Sequence, residues 1–204
     1  MTSWLHEERL QAVLAAMRGS GARRVLDLGC GDGDLFVRLA RQDGFDALVG
    51  VDICAASVAR LRDRLSAIEA RVPHIDLRIA SMTQPAEDLR GFDCALLIET
   101  IEHTDPALLS RLERALFHEM RPGRVIITTP NAEFNPLLGV PATRMRHPGH
   151  RFEWTRAAFR AWCRHAASGA GYSVTFSDVG GAHPDLGGAS QMAVFKRCDA
   201  GKSG

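Results

Sequence analysis

Val25-Leu26-Asp27-Leu28-Gly29-Cys30-Gly31-Asp32-Gly33 decides the fold of this 204-residue chain. Arg24 to Leu28 reads as a strand, and a helix bearing Leu35, Phe36, Leu39 and Ala40 follows the glycines. Glycines let the backbone pass close to a ligand and adopt positive φ. A dinucleotide site would carry G-x-G-x-x-G with pyrophosphate on the helix N-terminus. Here the pattern is G-x-G-x-G, with Asp27 before it and Asp32 inside it. Acids there would repel pyrophosphate and suit a cation bearing an ammonium group. A tight turn that binds nothing is the alternative reading.

Outward from this unit, strands and helices alternate. Strand two is Ala47 to Val51, followed by a long helix from about Ala55 to Ala70. Strand three is Ile75 to Ala80 and strand four is Cys94 to Ile98; a helix from Pro106 to about Met120 leads into strand five, Val125 to Thr129. Residues 130–150 form a Pro-rich connection too long for an ordinary loop. A helix over Arg156 to Ala167 precedes two strands, Tyr172 to Ser177 and Gln191 to Lys196, that alternate like a hairpin. Before the core, Ser3 can cap a helix whose stripe is Leu10, Val13, Leu14 and Met17. The reading is one α/β domain over 1–204, with an N-terminal helix about 3–18, a core about 22–198 and a flexible tail 199–204. Its seven-stranded sheet is mostly parallel with an antiparallel edge.

Composition narrows the function classes. Hydrophobic content of 46%, charged content of 24% and net charge +1 are ordinary for a soluble domain and create no global field for nucleic acid. Lys196 and Lys202 are the only lysines, so nearly every cation is an arginine, a better phosphate fork. The five cysteines are scattered and never spaced C-x-x-C, which argues for a reducing compartment. No apolar run reaches membrane-spanning length and the first residues are charged, so a cytoplasmic protein is expected.

A second stretch, Glu99-Thr100-Ile101-Glu102-His103, follows strand four directly. Glutamates at i and i+3 and a histidine at i+4 share a face if the segment opens a helix. The carboxyl end of such a strand is where open α/β sheets hold ligands. Carboxylates plus imidazole suit Mn²⁺, Fe²⁺ or Co²⁺, and Mg²⁺ less naturally. A solvated helix N-terminus is the alternative. His150 offers a second imidazole that would complete the set, whereas His147 reads as a surface histidine. Six arginines against one acid, Glu153, between Arg144 and Arg164 suggest a basic lip for a phosphate-bearing substrate. Buried structural roles are equally open to each arginine.

The glycine run resembles that of the class I S-adenosylmethionine-dependent methyltransferases, whose D-x-G-x-G-x-G is matched by Asp27 to Gly33. That resemblance implies a Rossmann-like fold. It also implies Asp27, Gly29 and Gly31 at the methionyl part, Asp52 at the ribose hydroxyls, and Ser81 and Met82 beside the adenine. E-x-x-E-H together with H-x-F-E-W-T-R, from His150 to Arg156, is similar to the small-RNA 3′-terminal ribose 2′-O-methyltransferases. This family includes the Hua-enhancer-type enzymes and their bacterial RNA-repair relatives. The resemblance implies one divalent ion, Mn²⁺ or Mg²⁺, on Glu99, Glu102, His103 and His150. The implied substrate is an RNA 3′ end with free 2′- and 3′-hydroxyls, contacted by Arg146, Arg151 and Arg156. RNA-repair enzymes are the protein partners it suggests, and accessory domains are not expected within this length.

Such an ion would chelate the vicinal hydroxyls and acidify the 2′-hydroxyl. His103 or a metal-bound hydroxide would take the proton; the sequence leaves both open. A 3′-phosphate should block the reaction. The rival reading is a catechol or quinone-precursor O-methyltransferase, which also pairs a metal with a diol. The arginines and an aromatic content of only 6% disfavour it.

Overall fold

The computed structural model describes residues 4–198, so the expected Ser3 cap and the tail 199–204 lie outside the described residues. The strands are β1 (Arg24–Leu28), β2 (Ala47–Asp52), β3 (His74–Ile79), β4 (Cys94–Ile98), β5 (Arg124–Pro130), β6 (Tyr172–Val179) and β7 (Ser190–Arg197). They form one sheet in the order β3-β2-β1-β4-β5-β7-β6. The first five run parallel; β7 is antiparallel to both β5 and β6 and so slots between them. The expected hairpin thus supplies the antiparallel side of the sheet, with β6 as its outermost strand.

Strand alternation divides the core in two. Leu26, Leu28, Val49, Val51, Ala95 and Leu97 pack on one side against Leu112, Phe117 and Phe159. Val25, Leu48, Cys94 and Leu96 pack on the other against Leu10, Val13, Leu39 and Leu61. The second group comes from α1 (Trp4–Arg18), α2 (Asp34–Ala40) and α3 (Ala55–Ser66). Both faces being covered explains why the central strands read as continuous apolar runs. Chain order reverses between β1 and β4, which opens a crevice beyond their carboxyl ends.

Three elements differ from expectation. The helix between β4 and β5 is not uniform from Pro106 to Met120. A 3₁₀ turn, Pro106–Leu108, precedes α4 (Leu109–Arg114), which widens into a π-helical stretch, Ala115–Met120. Ala115, Leu116 and Phe117 are all buried, a run that a regular 3.6-residue period would turn partly outward. The helix α3 stops at Ser66 rather than near Ala70. The Pro-rich connection contains a 3₁₀ segment, Ala132–Leu138, capped by the Asn131 carboxamide, before α5 (Arg156–Ala170).

Candidate active site

The glycine turn is shaped by two contacts. Gly29 has φ +77°, and a Cβ there would lie 2.2 Å from Thr100 Cγ2. Its N–H donates to the Val51 carbonyl at 2.7 Å. Asp52 braces the turn, accepting from the Gly31 N–H at 2.8 Å and from the Cys54 N–H at 2.8 Å. Each of its oxygens keeps a lone pair for a ligand. A cavity of about 450 Å³ opens here, lined by Gly29, Gly31, Asp52, Ser81 and Met82 together with Glu99 and His103. Asp27 is buried and is not among the lining residues. Burial, and then the Asp52 charge, push its carboxyl up to about 7.

The acidic segment does not open an α-helix. Glu99 adopts φ +52°, and only a single 3₁₀ turn, Ile101–His103, follows. That left-handed residue costs roughly 1 kcal/mol for a side chain with a Cβ. Its N–H is pinned by the Thr128 carbonyl and hydroxyl of β5, at 3.0 and 3.1 Å. The turn, rather than a helix face, brings the two glutamates together. Glu102 is fully buried, and its Oε2 accepts from Thr129 Oγ1 at 3.0 Å. Glu99 Oε2 meets Arg9 at 3.1 Å and the Ser190 hydroxyl at 3.2 Å. The remaining oxygens, Glu99 Oε1 and Glu102 Oε1, are buried without a partner among the described residues. Burial, then the neighbouring Glu99, push the Glu102 carboxyl well above the ordinary carboxylate range. A buried carboxylate oxygen with nothing to meet it is costly, and a cation is the natural complement.

Three imidazoles stand beside this pair. Ligand-capable atoms of His103, His147 and His150 lie within 4.8 Å of one another. His103 Nδ1 donates to the Gly149 carbonyl at 3.1 Å, which holds its ring over the cavity mouth. Burial lowers the His103 pKa, and this is only partly opposed by that hydrogen bond. His150 is buried, with Nδ1 2.5 Å from Glu153 Oε1. A carboxylate behind a histidine fixes the ring so that Nε2 faces the site. His147 is exposed, as expected of it, yet it joins the cluster. Orphaned carboxylate oxygens and imidazole nitrogens are the donor types a divalent ion takes, but among the described residues only the three imidazoles lie within 4.8 Å of one another, and Glu99 and Glu102 stand outside that group.

The arginines do not form one lip. The Arg146 guanidinium is half-buried and donates to Asn135 and to the carbonyls of Asn131 and Ala189, so all three of its nitrogens are engaged. Arg156 is held by Glu133 at 2.7 Å and by the Asp185 carbonyl at 2.6 Å. Arg160 and Arg164 lie over the Phe176 ring at 5.7 and 5.6 Å. Arg151 is exposed, and its backbone N–H donates to the Glu102 carbonyl at 2.8 Å. The basic-lip expectation is therefore corrected to Arg151 and Arg144, both exposed. The sequence reading missed Arg9, Thr129 and Glu153. Arg9 was readable only as a polar position on a helix, and its partner is 90 positions away. Glu153, the single acid among the arginines, was the one available signal.

Residues 2–169 match the family model described as a methyltransferase domain. The small RNA 2′-O-methyltransferase of Gallus gallus is 35% identical over 202 residues, spanning 94% of this chain and 53% of that protein. The chain thus spans about half the length of the vertebrate relatives it matches. The solved methyltransferase domain of bacterial-CtHen1-CN is 36% identical with a TM-score of 0.83, covering 94% of this chain and 99% of that one. The small RNA methyltransferase HEN1 structure is 31% identical with a TM-score of 0.88, covering 98% of this chain and 26% of that one. No helix among the described residues is long and apolar enough to cross a membrane.

Proposed function

We propose that this chain, which belongs to the methyltransferase-domain family alongside the small RNA 2′-O-methyltransferases, methylates the 2′-hydroxyl of the 3′-terminal nucleotide of RNA, using S-adenosylmethionine and a divalent ion. One observation carries the reading. A single cavity is lined by the glycine turn, Asp52, Glu99 and His103 together, and one oxygen of Glu99 is orphaned.

S-adenosylmethionine, when bound, supplies a methyl group on a cationic sulfur. Gly29 and Gly31 leave room for the methionyl part, Asp52 meets the ribose hydroxyls, and Ser81 and Met82 flank the base. A divalent ion, when bound, supplies Lewis acidity and a chelation point for vicinal hydroxyls. Glu99, Glu102, His103 and His150 are the residues to hold it. The one bare nitrogen of His103 cannot hold an ion and accept a proton together, and the ligand role also accounts for the orphaned oxygens. His103 is exposed at the mouth, so the hydroxyl proton leaves to water there. The 2′-oxygen then forms its bond to the methyl carbon as the sulfur–carbon bond breaks, and positioning within the cavity lowers the barrier. Arg151 is an exposed cation that can meet a phosphate.

A methyl-transfer assay tests this: a short RNA against a catechol, each with manganese or with a chelator. Manganese-dependent labelling of the RNA alone is expected. Labelling of the catechol at an equal rate would transfer the assignment to a small-molecule enzyme. An RNA ending in a 3′-phosphate should be inert, because one chelating oxygen is blocked.

A further inference from the structure

The three imidazoles of the cluster do not have the same kind of partner. A carboxylate can only accept, so His150 Nδ1, 2.5 Å from Glu153 Oε1, carries the proton and leaves Nε2 bare. Despite its burial, hydrogen bonds from Asn135, His150 and the Arg146 N–H hold the Glu153 carboxyl below its ordinary value, consistent with that role. A backbone carbonyl can also only accept, so His103 Nδ1, 3.1 Å from Gly149 O, is protonated and its Nε2 is bare. A backbone N–H can only donate. The Gly149 N–H points at His147 Nδ1 at 3.0 Å, so this nitrogen is bare and the proton sits on Nε2. One residue, Gly149, thereby sets two neighbouring rings in opposite tautomers. The space is fitted to that arrangement: a Cβ on Gly149 would lie 3.0 Å from His147 Nδ1 and 3.3 Å from His103 Nδ1.

We propose that His147 is a substrate-binding residue, donating its Nε2–H to an acceptor oxygen of the RNA's terminal nucleotide, and is not a third imidazole ligand of the ion. It is exposed while His150 is buried, so it meets the substrate from the solvent side of the cluster. Its ring lies 5.6 Å from His103 and 5.5 Å from His150, close enough to reach a group held by those two. A proton-bearing nitrogen cannot coordinate a cation but suits a sugar or phosphate oxygen. This inference rests on the RNA reading above, and its tests separate the two.

With nitrogen-15-labelled histidines at about pH 8, where imidazoles are neutral, long-range proton–nitrogen correlation reads each tautomer without any ion or substrate. His103 and His150 are expected as Nδ1–H and His147 as Nε2–H; a shared tautomer for all three overturns the proposal. In calorimetry, His147→Ala should keep Mn²⁺ affinity within about twofold while weakening RNA binding about tenfold, the scale of one lost hydrogen bond to a charged or polar oxygen. His147→Asn, which retains an N–H donor, should recover part of that loss. A collapse of Mn²⁺ affinity in His147→Ala makes the residue a ligand and overturns the proposal, as does unchanged RNA binding. A wild-type protein that binds no RNA refutes the functional reading and the substrate half of this proposal with it, while the tautomer pattern stands or falls separately.

Discussion

At the scale of single residues, Glu102 and Asp27 are both buried carboxylates, yet their burial has different consequences. Glu102 has one oxygen satisfied by Thr129 and one with no partner among the described residues. Glu102→Ala should abolish methyl transfer while S-adenosylmethionine affinity, read by calorimetry, changes by no more than about twofold, since the two sites use separate side chains. Parallel loss of both would mark Glu102 as structural. Asp27 titrates near 7 in the fold because of burial and the Asp52 charge. Its unfolded value is close to 4, so in that window the folded state holds a proton that the unfolded state has lost. Stability therefore falls as pH rises from about 4 towards 7, then levels off. Asp27→Asn should flatten this slope and raise the melting midpoint at neutral pH. Thermal scans across that range check it, and an unchanged slope would place the charge elsewhere.

At the scale of elements, the glycine turn and the acidic turn are one mechanical unit. Gly29 can take no Cβ because Thr100, the neighbour of Glu99, fills the space. Gly29→Ala combines left-handed strain with overpacking and should cost about 2–4 kcal/mol in denaturant unfolding, with weaker cofactor binding. The loop before α5 makes a different prediction. Arg146→Ala removes donors from two backbone carbonyls and Asn135 and should destabilise by about 2–4 kcal/mol. Arg151→Ala should leave stability within about 0.5 kcal/mol but weaken RNA binding and flatten its salt dependence. Reversed outcomes would restore the basic lip.

These elements also mark what was legible in the sequence. The strands β1 and β4 were readable to the residue, β4 because a strand buried on both faces is an uninterrupted apolar run and β1 because the glycine turn fixes its end. The acid-bearing segment was legible as a site but not as a shape. Its positive φ at Glu99 is imposed by Thr128 across the sheet, and no local pattern records that. Arginines were legible as charge and opaque as to partner. Whether a guanidinium faces solvent or binds buried carbonyls is decided by contacts such as Arg146 with Ala189, 43 residues apart.

At the scale of the whole molecule, the sheet's order reversal gathers the ends of β1, β2, β3 and β4 around one crevice, and α1 reaches its rim by sending Arg9 to Glu99. Sugar selectivity should follow from a paired-oxygen anchor rather than from shape, because the 2′-hydroxyl distinguishes RNA from DNA at this position. The most direct test is methyl transfer to a ribo-oligomer and to its twin ending in a 2′-deoxynucleotide, each with and without added manganese. Only the ribo-oligomer with manganese should be methylated, at its last sugar. Equal labelling of the deoxy-ended twin, or transfer that is indifferent to manganese and to chelator, would contradict an ion-anchored terminal ribose.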